Sequence, residues 1–370
     1  MRKRLDSLDV FRGMDMWFIT GGAFFLKSIG ELVTGDRNCW IAQQMTHVSW
    51  GQTIHVYDLV FPFFLFISGL SWPYSLASRR TKGATNGEIV RHILVRTFSL
   101  VAIGLIISRI QDLDWERFRV WSVIGRIGLA WGMAALIFTF VRVRTAALVT
   151  VGILVAWWAV TLGIPSPDCP PGANAMAAKA NCIANWIDVH YLTTAHRHEG
   201  GLATLAMPPL VLMGMFAGTF VRTFAGRISG NRIALVLAGC GTALFGLGVL
   251  GAFGLGPVSM PIIKPDYSVT YSLVSGGLAA VVFALLYWIV DVRGFVAWSL
   301  YFRVIGANAL AIYFAGFFIR FSDVGRFFLG ALPSACTLPG FSATIVALGG
   351  LIVRWIPLHF LYRKGIHIRV

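Results

Sequence analysis

The sequence has little charge, and this shortage excludes an ordinary soluble domain. Only 13% of its 370 residues are charged, whereas soluble domains carry about 25%. Hydrophobic residues make up 57%, and long apolar runs recur along the whole chain. One membrane span needs roughly 20 apolar residues, and lipid excludes open sheets because their backbone groups stay unsatisfied. The composition therefore predicts an all-α, polytopic transmembrane helical bundle.

Several short motifs are also missing. No Gly-x-Gly-x-x-Gly precedes a predicted helix, and neither a phosphate-loop lysine nor Gly-x-Ser-x-Gly is present. These absences argue against a dinucleotide fold, a nucleoside-triphosphate loop and a hydrolase nucleophile elbow. Because the chain also lacks a convincing repeat and a low-complexity linker, we predict one integral-membrane domain over residues 1–370.

About ten spans are expected. Their approximate ranges are 13–33, 57–77, 93–109, 120–140, 146–163, 203–221, 233–255, 269–290, 304–320 and 341–359. Most of the 31 Lys and Arg residues fall on the N-terminal side of this arrangement. The positive-inside rule then places both termini in the cytoplasm and His47 outside. The net charge of +15 is thus a topology signal, and no nucleic-acid partner is predicted. The basic N-terminus is interpreted as part of a retained first helix.

The stretch 47–75 carries the strongest chemical signal. His47, Trp50, His55 and Asp58 lie in a polar, aromatic segment that runs directly into an apolar helix. Ionisable residues at the edge of hydrocarbon are costly and tend to mark a site. An imidazole suits proton removal near neutral pH, and a carboxylate can orient it. Asp58 could equally cap the helix that follows, and no role is assigned to His55.

Basic residues at the predicted inner face fit a phosphorylated cofactor. Arg12, Arg91 and Arg96 lie there, and guanidinium groups bind phosphate through paired donors. The topology rule alone, or snorkelling at a helix start, explains the same residues.

Arg126 lies roughly 10 Å below the outer surface of its predicted span, at 1.5 Å per residue. A charge at that depth is expected to face the bundle interior or a wet cavity. Pairing with a buried carboxylate such as Asp58 or Asp15 is the structural alternative. We favour a role in the site, grouped with the cofactor-binding arginines.

Three residues of the predicted outer loops or outer face, and one asparagine within the ninth predicted span, could bind an acceptor. These candidates are Trp50, Glu199, Lys264 and Asn308. Interfacial anchoring explains a tryptophan there equally well, and a lone buried asparagine often joins two helices. The loop 164–200 also contains His190, His196 and His198, but their spacing matches no zinc pattern. No metal is predicted.

Four blocks of the sequence resemble the heparan-α-glucosaminide N-acetyltransferase family, a branch of the transmembrane acyltransferases with bacterial members. The blocks are RLDSLDVFRG at 4–13, HVSW with DLVFPFFLFISG within 47–69, HEGGLATLAMPPLVLMGMFAG at 198–218, and the series from 262 to 314. SVIGRIGLAW at 122–131 resembles a further, weaker block. The resemblance implies transfer of an acetyl group from cytoplasmic acetyl-CoA to a saccharide on the periplasmic side of a bacterial inner membrane, with His47 catalytic. Thr20 stands where family members often have Asn, which leaves the oxyanion contact open.

Other functions remain open. A transporter or flippase for a sugar or a lipid-linked sugar would share the bundle and the intramembrane Arg126, although inverted repeats are expected of it. A binding or sensor protein that has lost catalysis is a third possibility. The acceptor sugar, N- versus O-acetylation, direct transfer versus an acetyl-histidine intermediate, and a homodimer all stay undecided.

Cysteine labelling tests the topology. Cys39, Cys169, Cys182 and Cys336 fall in predicted outer loops, and Cys240 lies in a span. Cys169 and Cys182 form the simplest disulfide, with free thiols as the alternative. An impermeant reagent applied from outside, after reduction, is expected to reach Cys169 and Cys182. Labelling only from the cytoplasmic side would reverse the topology.

Overall fold

The computed structural model describes residues 5–48, 50–51, 53–111, 121–192, 201–254, 256–329 and 338–368. Every regular element in these ranges is helical, and the only β-type contacts among them are two isolated bridges. The all-α class predicted from composition is confirmed.

Fifteen α-helices make up the described part of the chain. They are α1 (Asp6–Trp17), α2 (Ala23–Thr34), α3 (Trp40–Gln44), α4 (Val60–Thr81), α5 (Asn86–Gln111), α6 (Val123–Phe140), α7 (Val143–Gly163), α8 (Ile183–Ile187), α9 (Pro208–Phe224), α10 (Gly230–Phe253), α11 (Val269–Leu286), α12 (Leu300–Ala307), α13 (Ala309–Phe318), α14 (Phe321–Leu329) and α15 (Phe341–Arg363). Short 3-10 turns are Val56–Leu59, Lys179–Asn181, Leu202–Ala206 and Gly256–Val258, and π-helical segments are Phe18–Gly22, Asp188–Leu192 and Tyr287–Val292.

Nine stretches among the described residues are long and apolar enough to cross a bilayer. A tenth is obtained if α12 and α13, which are bent by 74° at their junction, count as one broken span. The prediction of about ten spans is confirmed, and the chain is a multi-pass membrane protein. Its orientation, with both termini cytoplasmic, stays a prediction.

The described residues divide into two compact units. Unit 1 comprises the chain up to residue 47, residues 55–60 and the chain from residue 286. Unit 2 comprises residues 48–54 and 61–285. The prediction of one functional domain over 1–370 stays a prediction.

In unit 1, glycines let α1 and α12 approach closely. A Cβ on Gly13 would overlap the Phe302 carbonyl, and one on Gly306 would overlap the Asp9 carbonyl. Small residues at such crossings are how membrane helices gain packing contacts, because lipid gives no hydrophobic drive for association. Asp291 caps α1, since its two carboxylate oxygens accept from the amides of Asp6 and Ser7 at 3.2 Å each. The carboxylate thereby satisfies amides that a helix start leaves without partners.

In unit 2, glycines also allow close approach at two helix pairs, α4–α9 and α5–α6. Gly69 of α4 and Gly214 of α9 each lie against backbone of the opposite helix. The α5–α6 pair is antiparallel, because Gly104 lies against Ser122 whereas Gly132 lies against Thr97. The beginning of α5 is therefore at the same end of this pair as the end of α6.

The glycine crossing in unit 1 can be tested with a matched pair of substitutions. Gly306→Val is expected to lower thermal stability by roughly 1–3 kcal/mol or more, because the new side chain must displace α1 backbone. Gly316→Val, on the next helix, places its Cβ in open space and serves as the control. Thermal unfolding of the detergent-solubilised protein measures both. Equal effects of the two substitutions would contradict the close crossing.

Candidate active site

His47 and Asp58 form a hydrogen-bonded pair in unit 1. His47 Nδ1 lies 2.8 Å from Asp58 Oδ1. An ionised carboxylate only accepts hydrogen bonds, so His47 Nδ1 donates this one. The His47 side chain is 55% exposed, whereas the Asp58 side chain is 1% exposed. The arrangement is thus a basic nitrogen on an accessible ring that a buried carboxylate holds in place.

Asp58 also caps the short helix in which it lies. Its second oxygen, Oδ2, accepts from the backbone amide of His55 at 3.1 Å, and His55 is the N-cap of Val56–Leu59. The sequence offered helix capping and imidazole orientation as alternatives for Asp58. The structure shows that one carboxylate does both, because each function uses a different oxygen.

Neighbouring groups restrict the His47 ring further. The Tyr57 ring lies 4.8 Å from it, tilted by 33°. His55 Nδ1 lies 3.1 Å from the carbonyl of Thr46, the residue before His47. Since a carbonyl only accepts, His55 donates this bond and ties the segment before His47 to the helix start that carries Asp58. His55, to which the sequence assigned no role, is therefore a structural support of the pair.

The predicted acceptor-binding residues are dispersed. Trp50 and Lys264 lie in unit 2, both half-buried, and the Trp50 indole N–H donates to the Met176 carbonyl at 3.0 Å. Glu199 lies outside the described residues, as do His196, His198 and Cys336. Acceptor binding by these residues stays a prediction.

Asn308 lies in unit 1 at the bend between α12 and α13 and is fully buried. Its Nδ2 donates to the Ile366 carbonyl at 3.1 Å, and its Oδ1 accepts from the Ile368 amide at 2.8 Å. Both ends of the amide thus bind the segment after α15. The structure thus shows a structural role for this side chain, which joins the bend between α12 and α13 to that segment. A substrate contact of Asn308 stays a prediction.

The four predicted cofactor-binding arginines have different surroundings. Arg12, in unit 1, pairs with Asp9 at 3.3 Å. Arg91 is exposed in the second turn of α5, and the Arg96 guanidinium lies 4.1 Å from the centre of the Trp131 ring. Arg126 lies near the start of α6, at the end of the antiparallel pair opposite to Arg91. One phosphate group therefore cannot contact both Arg91 and Arg126.

Arg126 is nearly fully buried, with its guanidinium 5.2 Å from the centre of the Phe61 ring. Its charge acts on Asp188, a carboxylate that the sequence did not pair with it. Burial raises the pKa of Asp188, while backbone amides of Leu202 and Gly201, and then the charge of Arg126, oppose the rise. Arg126 and Asp188 therefore interact electrostatically within unit 2.

Asp188 belongs to a buried cluster in the unit 2 loops that sequence reasoning missed. The Cys182 thiol donates to Asp266 Oδ1 at 3.2 Å, and both residues are buried. Burial raises the pKa of Asp266 to about 7, with a further contribution from Asp188. Cys169 and Cys182 are free thiols, so the structure has the second of the two alternatives predicted for them. No pattern in the sequence relates residues 182, 188 and 266.

Cys182 is buried, whereas Cys169 is half-buried. In the folded protein, the labelling reagent is therefore expected to reach Cys169 more readily than Cys182. Among the described residues, no group of three or more His, Cys, Asp or Glu side chains could hold a metal ion.

Two curated proteins are similar to this chain. Both are heparan-alpha-glucosaminide N-acetyltransferases, one from Mus musculus and one from Homo sapiens. The mouse protein is 24% identical over 361 residues, covering 84% of this chain and 53% of the relative. The human protein is 24% identical over 364 residues, covering 84% and 52%. These relatives support the resemblance.

The chain spans about half the length of the curated relatives it matches. No protein-family model matches it.

The protonation of Asp266 gives a prediction about pH. The pKa of the folded state, about 7, lies above the ordinary value of 3.8, so the folded protein keeps a proton that the unfolded chain loses. Stability therefore falls as pH rises from about 4 to about 7. Asp266→Asn is expected to stabilise the protein at pH 8, by at most about 4 kcal/mol, and to change little at pH 4. Thermal unfolding at both pH values measures this.

The control for this experiment is Asp168→Asn, which removes an exposed loop carboxylate and is expected to have no such pH dependence. Equal stability of Asp266→Asn and the unsubstituted protein at pH 8 would contradict the assignment.

Proposed function

We propose that this protein is a membrane acetyltransferase that moves an acetyl group from cytoplasmic acetyl-CoA to an amino or hydroxyl group of a saccharide on the periplasmic side. The observation that carries the proposal is the His47–Asp58 pair. It lies in the sequence block that most resembles the acetyltransferase family, and the similarity to two enzymes of that name supports the reaction class.

The geometry of the pair suits acyl transfer to a weakly acidic acceptor. Asp58 holds the proton on Nδ1, which leaves Nε2 of His47 to take the proton from the acceptor as it attacks the acetyl carbon. The new bond joins the acceptor nitrogen or oxygen to the acetyl carbon, and the carbon–sulfur bond of the thioester breaks. The proton then passes from His47 to the leaving thiolate. In the alternative route through an acetyl-histidine intermediate, Nε2 of His47 would itself attack the acetyl carbon, and the acceptor would then attack the acetyl-histidine.

A basic segment in unit 2 supports binding of the donor. Residues 79–96 contain five Arg and Lys and one acidic residue, Glu88. The backbone amide and hydroxyl of Thr85 both donate to Glu88. An Arg79 nitrogen lies 3.0 Å from His92 Nε2, and because Arg stays protonated, His92 accepts this bond as a neutral ring. Positive charge here exceeds negative charge, as the phosphates of coenzyme A require.

A transporter is the second candidate, and a feature of unit 1 favours it. Two of its membrane helices are interrupted, at Phe18–Gly22 and at Asn308. Discontinuous helices of this kind form the substrate sites of many transporters. Proteoliposomes loaded with acetyl-CoA and supplied with an external amino sugar separate the two functions. Acetylated product supports the enzyme, whereas uptake of unmodified sugar supports the transporter.

His47→Ala tests the catalytic assignment. The substitution removes the base and is expected to lower acetyl transfer by roughly 100-fold or more. Thermal stabilisation by acetyl-CoA is expected to persist, because a ligand that binds only the folded state still raises its stability. His55→Ala is expected to have a milder effect, since His55 supports the pair without supplying the reacting nitrogen.

His190→Ala is the matched control, because His190 is an exposed histidine of the π-helical segment Asp188–Leu192 whose ring stacks on Trp186. Transfer is measured in proteoliposomes at equal expression level. Near-normal turnover of His47→Ala would overturn the assignment, and a lack of thermal stabilisation of the unsubstituted protein by any coenzyme A compound would overturn the acetyltransferase itself.

A further inference from the structure

The first membrane-spanning stretch of unit 1 is broken near its middle. Between α1 and α2, the π-helical segment Phe18–Gly22 contains Thr20 at φ −91°, ψ 21° and Gly21 at φ 125°. Only glycine adopts the latter conformation readily. Non-helical backbone at membrane depth is tolerated where it is buried in protein or lines a cavity, and π-helical segments are frequent at functional sites.

Arg354 lies beside this break. It is about 13 residues into α15 (Phe341–Arg363), which at 1.5 Å per residue is roughly 20 Å along the helix and close to mid-membrane. Its NH1 donates to the Thr20 carbonyl, and its guanidinium lies 5.1 Å from the centre of the Phe321 ring. Within the described parts of the chain, no carboxylate pairs with Arg354. An intramembrane charge without a counter-charge is costly and marks a site.

A small cavity adjoins Arg354 and the break. Its walls include Trp17, Thr20, Tyr301 and Trp355, and its volume is about 10 Å³. The walls are held in place, because the Tyr301 and Trp355 rings stack at 5.9 Å and the Trp355 indole donates to the Tyr301 carbonyl. The remaining lining side chains are aliphatic, namely Ile305, Ile312, Leu351 and Leu358. By its size, the space accommodates about one oxygen-sized group.

The hydrogen bond to the Thr20 carbonyl does not by itself explain why residue 354 is an arginine. That bond uses one of the five N–H donors of a guanidinium, and a neutral donor would make it without placing a charge in the membrane. Thr20 itself cannot donate into the cavity, because its hydroxyl proton is already donated to the Met16 carbonyl at 2.9 Å. Arg354 is the charged donor at this cavity.

We propose that this cavity is a subsite for the acyl carbonyl of the donor thioester, with Arg354 donating a hydrogen bond to the carbonyl oxygen. The proposal rests on the acetyltransferase function and adds a residue that lies outside the sequence blocks on which the resemblance was based. An acetyl group that passes from one side of the membrane to the other must pass mid-depth. A fixed cation there replaces the water that a polar carbonyl loses on entering the protein.

The test compares two ligands that differ in one oxygen. S-ethyl-coenzyme A has the size of acetyl-coenzyme A but lacks the carbonyl, so binding at the phosphates and along the arm is common to both. The unsubstituted protein is expected to bind acetyl-coenzyme A roughly 10- to 100-fold more tightly, the range for a hydrogen bond to a charged group. Arg354→Gln is expected to lose this preference while its affinity for S-ethyl-coenzyme A is unchanged.

Arg320→Gln is the control, because Arg320 is an exposed arginine of the same unit that pairs with Asp323 at 3.9 Å. It should retain the preference. Equal affinity of the unsubstituted protein for the two ligands would overturn the subsite without any variant, and so would a preference that survives in Arg354→Gln. If neither ligand binds the unsubstituted protein, the acetyltransferase function itself fails, and the subsite with it.

Discussion

Inside a bilayer no water is available to satisfy a polar group, so each backbone amide, carbonyl or charge needs a partner within the protein. Unit 1 shows the consequence at three positions. Asp291 accepts from the first amides of α1, Asn308 bonds backbone groups near its own helix break, and Arg354 donates to the carbonyl that the break at Thr20 exposes. Of these three side chains, Arg354 is the one that satisfies a backbone group exposed by a break within a helix.

The same requirement for hydrogen-bond partners explains the geometry of the candidate catalytic pair. Asp58 is almost fully buried, and a buried carboxylate is stable only when its oxygens accept hydrogen bonds. One oxygen accepts from the imidazole of His47 and the other from the backbone of His55. The orientation of the imidazole and the start of the short helix before α4 are therefore coupled through one side chain. Helix capping and orientation of the imidazole were predicted as alternatives for Asp58, and one carboxylate does both because it has two acceptor oxygens. A catalytic role of Asp58 stays a prediction.

The two units carry different parts of the proposed chemistry. Unit 1 contains the pair proposed for proton transfer and the cavity beside Arg354. Unit 2 contains the basic segment 79–96 and a second polar cluster, formed by Arg126, Asp188, Cys182 and Asp266. Burial, and then the charge of Asp188, raise the pKa of Asp266 to about 7, so a pH dependence of stability is expected from this cluster independently of the proposed reaction.

Composition and apolar periodicity determined the all-α class, the approximate spans and their number, because one bilayer thickness imposes one helix length throughout. The sequence also offered the pairing of His47 with Asp58 as one of two alternatives, since both lie in one short segment. Tertiary structure decided the rest. It separated Arg126 from Arg91, assigned the amide of Asn308 to backbone groups, and brought Cys182 to Asp266 and Arg354 to Thr20. These contacts join residues tens to hundreds of positions apart, and only helix packing determines which distant side chains meet.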